Sequence, residues 1–166
     1  YQPNDDANKV TKFGLLYNML AATNGAAMSN AVPSGVQGVC PDGWHLPSAS
    51  EWQQLFGFVG SQSQYLCGNN SRNIAKALAS TTDWGNSSFA CAIGNNQAMN
   101  NATGFSVLPA GEGVYYYQDH INGSSYFYFT KSADMFTADQ LVVHFDRDSS
   151  AISMSGAGRA LAFSVR

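Results

Sequence analysis

An α+β fold is what this sequence predicts, with helices early and antiparallel β-structure late, and three observations predict it. A capping box opens an amphipathic helix at about residue 48. A second, shorter apolar stripe follows at about residue 74. After Gly104 the apolar period switches to two and stays there. At 166 residues the chain suits one domain and can bury a real core.

Taken in order, residues 1–12 are polar and without period, and read as a leader or linker remnant ahead of a single domain over 13–166. Residues 13–22 read as a first strand, with Leu15, Tyr17 and Met19 alternating onto one face. Residues 23–39 are loop. Then comes Cys40-Pro-Asp-Gly-Trp-His-Leu-Pro-Ser-Ala-Ser-Glu-Trp52. Pro41-Asp42-Gly43 is turn chemistry, and Pro47 keeps the chain extended just before a helix. Ser48 and Glu51 form the capping box, and Trp52, Leu55, Phe56 and Val59 then fall on one helical face. Gly57 or Gly60 can end that helix with a left-handed cap. Trp44 and Trp52 converge on this stretch, which reads as a core nucleus.

Residues 73–80 read as a short helix, with Ile74, Ala77 and Leu78 buried and Asn73 or Ser71 as cap. Residues 81–101 carry few apolar side chains apart from Trp84, Phe89 and Ile93, and so form a long loop that needs a brace or a function. The alternating strands that follow carry Phe105 and Val107, Tyr115 and Tyr117, Phe127 and Phe129, then Leu141, Val143 and Phe145. Ile152 and Met154 come next, and finally Leu161, Phe163 and Val165. Asn122-Gly123 is a hairpin signal. One face of this sheet should be buried and the other wet.

Charged residues make up only 11 % of the chain and the net charge is -3, so there is no basic footprint for nucleic acid and no polybasic stretch for anionic lipid. No apolar run approaches a membrane span, and no membrane insertion is expected. Cys67 and Cys91 flank the Ser/Asn/Gly-rich loop, and a bridge there would close roughly 25 residues, worth on the order of 3 kcal/mol. Two reduced, buried thiols are the alternative.

The chemistry-bearing residues give no reaction. His45 sits inside the 40–52 stretch and reads as a satisfied, buried imidazole; His120 neighbours Asp119 in a loop; His144 has the outward parity of a strand. No Gly-x-Ser-x-Gly elbow surrounds a serine, no metal-ligand spacing occurs, and Asp146-Arg-Asp148 reads as solvated carboxylates at a strand end. Gly111-Glu-Gly113 and Gly156-Ala-Gly158 lead into strands and are turns, not phosphate cradles. The chain is therefore expected to be no enzyme and to need no cofactor and no metal.

The 40–52 stretch resembles the hallmark of the Fibrobacter succinogenes major paralogous domain, Cys-Pro-x-Gly-Trp-His-Leu-Pro-Ser/Thr-x-x-Glu-Trp. The resemblance continues in Phe13-Gly-Leu-Leu-Tyr-Asn-Met-Leu-Ala-Ala22, Asn101-Ala-Thr-Gly-Phe-Ser-Val-Leu-Pro-Ala-Gly111 and Ala162-Phe-Ser-Val-Arg166. It implies a C-type-lectin-like fold in a secreted or surface protein of Bacteroidetes and their relatives, with the last strand paired to the first. It assigns structural roles to Cys40, Trp44, His45, Trp52 and Phe105, and it favours the disulfide between Cys67 and Cys91. In the family a cysteine commonly follows the final Val-Arg, so a pairing of Cys40 beyond Arg166 and a simple buried thiol both stay open. The calcium motifs of sugar-binding C-type lectins are missing. So is the late cysteine pair of the similarly folded formylglycine-generating enzymes.

What remains is a surface. Tyr115, Tyr116, Tyr117, Asp119, His120, Tyr126 and Tyr128 crowd a stretch rich in Asn, Ser and Gly, the composition of an adaptable binding face. Asp134, Phe136 and His144 join it. Burial of alternate tyrosines under the sheet is the competing reading. The expected function is an extracytoplasmic recognition module for a glycan or protein ligand. The alternative is a structural or adhesive subunit whose partner is a neighbour in a surface fibre.

Overall fold

The computed structural model describes residues 7–114, 117–119, 123–128, 140–157 and 161–165, with the backbone alone for 114, 117–119, 124–128 and 140. Helices α1 (Ala7–Phe13), α2 (Met19–Thr23), α3 (Ala49–Gly60) and α4 (Ala75–Leu78) and a short first strand β1 (Leu16–Tyr17) precede the β-rich half. There the strands are β2 (Glu112–Val114), β3 (Tyr117–Asp119), β4 (Ser124–Tyr128), β5 (Gln140–Asp146), β6 (Ser153–Ala157) and β7 (Leu161–Ser164). The architecture is α+β.

The sheet runs β3-β2-β7-β4-β5-β6, and β1 also pairs with β7. The last strand does meet the first, Leu16 opposite Ser164 and Tyr17 opposite Phe163. All neighbours are antiparallel except β4 and β7, which touch in parallel at Phe127 and Ser164. β3 pairs with β2, and β4 with β5 and β7, so among the described residues the strands on either side of Gly123 are not partners; Asn122 itself lies outside the described residues.

Both faces of the central strands are covered, which corrects the expectation of one wet face. Val143 and Phe145 of β5 point into a core shared with Trp52, Val59, Ile74, Leu78, Trp84 and Ile93. Val142, one residue away and so on the opposite face, packs with Ala22, Val36, Leu46 and Phe163. Helices α3 and α4 cover one face; α2 and the loop around residues 36–46 cover the other.

The first predicted strand is mostly helix. Asn18 caps α2 through its side chain on the Ala21 amide at 2.8 Å, and Asn24 ends it in the left-handed region. Leu16 is fully buried and Leu15 exposed, while Tyr17 and Met19 of the face read from alternation do pack, half-buried, against the core of Ala22, Val36, Leu46 and Phe163. Ahead of it, α1 buries none of its residues and is tied to the body through the Lys12–Asp83 ion pair. Phe105 and Val107 form no strand either: Ser106 takes a positive φ, and Val107 makes only an isolated parallel bridge to Ala79.

Helix α3 opens with the predicted capping box, both halves present. It runs through Gly57 and Gly60 and ends at Ser61 in the right-handed region, so neither glycine supplies the cap. Trp52 and Val59 are buried, and Leu55 and Phe56 pack on the core edge. Helix α4 has no side-chain cap; Asn73 instead binds the Cys67 carbonyl and the Ser150 hydroxyl.

The long loop is braced three ways. Cys67 and Cys91 are bonded. The Lys76 ammonium donates to the carbonyls of Ala92 (3.4 Å), Asn95 and Asn96 (3.3 Å). Asn100, buried, donates to the carbonyls of Ser80 and Ile93.

Candidate functional site

The stretch at 40–52 is rigid for local reasons. The Trp44 amide closes a turn on the Pro41 carbonyl at 3.0 Å, with Gly43 at φ +84°. The Gln37 side chain donates to both the Cys40 carbonyl and the Asp42 carboxylate. Leu46 is fully buried and its amide bonds the Val36 carbonyl at 2.8 Å. Trp44, two residues earlier, is 72 % exposed.

Glu51 gathers the strands of this loop. One carboxylate oxygen accepts from the Ser48 amide at 2.7 Å and the Ser34 amide at 3.2 Å, and the other lies 2.8 Å from His45 Nε2. Burial pushes the Glu51 carboxyl up, but the Ser48 and His45 bonds outweigh it and hold the group below its ordinary range. It is a carboxylate at neutral pH. Because a carboxylate only accepts, the His45 proton sits on Nε2.

Two open grooves flank the Trp44 indole. One, about 400 Å³, is walled by Trp44, His45, Pro47, Leu55 and Phe105, with Trp52 and Glu51 at its base. The other, about 300 Å³, lies among Tyr17, Val39, Cys40, Trp44 and Val165. Phe105 meets Trp52 edge-on, ring centres 5.9 Å apart, which fixes that wall. Burial pushes the Cys40 thiol up, away from thiolate chemistry.

A family model for the Fibrobacter succinogenes major domain matches residues 1–166. The chain belongs to that family. No curated protein and no solved structure matches it.

Within this Fibrobacter succinogenes major domain the predicted residues fall out as follows. Trp52 and Phe105 are where a structural role requires them, at the core and against it. Trp44 is not core: it stands outside the 3.6-residue period that buries Trp52, and the Gly43 turn carries it to the surface. His45 is hydrogen-bonded but only half-buried, its side chain 35 % exposed. Cys40 is a half-buried free thiol among the described residues.

Of the tyrosine surface, Tyr115, Tyr116, His120, Asp134 and Phe136 lie outside the described residues. Tyr117 and Asp119 sit in β3 opposite Val114 and Glu112, and Tyr126 and Tyr128 in β4 opposite His144 and Val142. Strands β2 and β7 separate β3 from β4, a spacing of about 14 Å across the sheet, so the two segments are near in sequence without being adjacent strands. His144 is half-buried, its Nε2 3.9 Å from Asp146 Oδ2. Asp146 and Asp148 serve their own turn: the Asp148 amide donates to Asp146 Oδ1 at 2.7 Å and Arg147 Nε to Asp148 Oδ2 at 3.1 Å. No three His, Cys, Asp or Glu side chains among the described residues form a metal-ligand cluster. Among the same residues no helix is long and apolar enough to cross a membrane.

What sequence reasoning missed is the exposure of Trp44, which it placed in the core. A signal was present: a large aromatic placed directly after a Pro-Asp-Gly turn, and before the helix whose period would have buried it.

Proposed function

We propose that this domain is a non-catalytic, extracytoplasmic recognition module of C-type-lectin-like architecture that holds a glycan or protein ligand on its surface. The observation that carries the reading is Trp44, an indole 72 % exposed on a turn braced from both sides, between two open grooves. Exposed aromatic anchors on rigid backbone are what binding surfaces use, because they bring large contact area with little entropy left to lose. The last β-strand closing onto the first supports the lectin-like architecture, and the Cys67–Cys91 bond supports an oxidising compartment. The tyrosines between 115 and 128 are the second candidate surface.

The test is a glycan and host-protein array probed with parent and Trp44→Ala protein, with and without chelator. A ligand that parent retains is expected. Parent protein that retains nothing, at concentrations where it stays monomeric, overturns the reading. A structural subunit of a surface fibre is the second reading, favoured by β6, which pairs only with β5 among the described strands and is largely exposed. Size-exclusion chromatography separates the two, since a fibre subunit self-associates or needs a partner to stay soluble.

A further inference from the structure

The larger groove beside Trp44 narrows the ligand class, on the premise that this domain is a recognition module. Three properties meet there. The indole is a flat apolar face carried on backbone that the fold holds in place: Gln37 and Pro41 fix the turn before it, and the fully buried Leu46 anchors the chain after it. Beside it, His45 places Nε2 on the Glu51 carboxylate, which leaves Nδ1 as the ring nitrogen open to a ligand, and no described residue donates to it. The third property is charge. Among the described lining residues Glu51 is the only carboxylate, and the Ser48 and Ser34 amides and the His45 ring already occupy its oxygens.

Each property excludes ligands. A charged ligand would lose its hydration at a groove with no free countercharge. A purely apolar group would cover the indole but strand the His45 acceptor away from water, at the cost of an unmade hydrogen bond. A flexible aliphatic chain would forfeit entropy on a surface that offers one flat platform. A neutral pyranose ring meets all three demands. It has an apolar C–H face to lie on the indole, hydroxyls around the rim of which one can donate to Nδ1, and no net charge.

We infer that the groove binds a neutral oligosaccharide by stacking one pyranose ring on Trp44 while a ring hydroxyl donates to His45 Nδ1. Calcium has no part in this contact, so binding survives chelation.

The experiment titrates cellotriose, mannotriose, xylotriose and tri-N-acetylchitotriose, at up to tens of millimolar, into isotopically labelled protein. Trigalacturonate and N-acetylphenylalanine amide serve as the charged and apolar controls. Expected is a saturable shift of the Trp44 indole N–H with at least one neutral trisaccharide, in EDTA, larger than with either control. Trp44→Ala should weaken that binding at least tenfold, and His45→Phe several-fold. Both variants should leave the Leu46 and Trp52 resonances in place, which separates a lost contact from a lost fold. No shift with any neutral sugar overturns the inference, as does a larger response to either control. If the array finds a ligand whose binding survives Trp44→Ala, the inference fails while the recognition reading stands.

Discussion

Replacing Glu51 separates its structural duty from its charge. Glu51→Ala removes the acceptor for three donors at once. The Ser48 amide, on a fully buried residue and 2.7 Å away, loses half of a capping box, which costs about 1–2 kcal/mol. The Ser34 amide at 3.2 Å is a weaker partner, worth about 0.5 kcal/mol. His45, with its side chain 35 % exposed, lets water replace the carboxylate, so that pair contributes about 0.5 kcal/mol. Together the loss is about 2–3 kcal/mol, or a melting-temperature fall of about 4–12 °C for a chain of this length. Glu51→Gln should cost less than about 1 kcal/mol, because Gln is accepted in a capping box and its amide can donate to His45 Nε2.

The pH dependence has a definite sign. The folded Glu51 carboxyl lies below its ordinary range, so its stabilisation is complete above the unfolded value of about 4.3 and drains away as pH falls through the folded value. The gap in stability between parent and Glu51→Ala should therefore narrow below about pH 4, whereas Glu51→Gln shows no such carboxylate loss. Urea denaturation at pH 7 and at pH 3–4 reads both effects. A Glu51→Ala protein melting within 1 °C of parent at pH 7, or a gap that widens in acid, would refute the reasoning.

Three further outcomes are expected. Replacing Cys67 and Cys91 by alanine opens a loop with ends 24 residues apart and should cost about 3.5 kcal/mol in urea denaturation; a midpoint unchanged under reduction would contradict it. Lys76→Met leaves the carbonyls of Ala92, Asn95 and Asn96 without their ammonium, at about 1–2 kcal/mol, and limited proteolysis should then cut first within residues 85–97. Tyr116→Ala and Tyr128→Ala should abolish ligand binding with the melting temperature nearly unchanged if the tyrosine face is the contact surface; a large fall in melting temperature would move those rings into the core.

How legible each element was follows from how local its cause is. The α3 start was readable because a capping box is a four-residue device. The disulfide came from family likeness, since a polar loop between Cys67 and Cys91 left two reduced thiols open as the alternative. The β1–β7 pairing came from family likeness rather than from period, since two residues of strand carry no pattern. The stretch at 13–22 misled because alternation in a short apolar run suits a strand or a helix equally, and Asn18 and Asn24 cap a helix there. Asn122-Gly123 promises a local hairpin, but β3 pairs back onto β2, which precedes it, while β4 pairs with β5 and β7 farther along the chain. The two covered faces of β5 were hidden because Val142 and Val143 are both apolar, and alternation cannot register a strand buried on both sides.

The 40–52 stretch is at once scaffold and surface, and the two roles depend on each other. Leu46 enters the core on one face of the sheet and Trp52 the core on the other, so the stretch from 46 to 52 that follows the turn cannot shift without disturbing both. With its neighbours pinned that way, Trp44 has no route inward. Leaving most of an indole in water forgoes about 3–4 kcal/mol that burial would return. One exposed tryptophan alone would carry little meaning. Here the same groove adds half-buried Leu55 and Phe105 to the indole, and the fold spends buried leucine, a second tryptophan and a saturated carboxylate on holding that indole in place. A surface so placed, with its apolar area exposed, is the feature on which the recognition proposal rests.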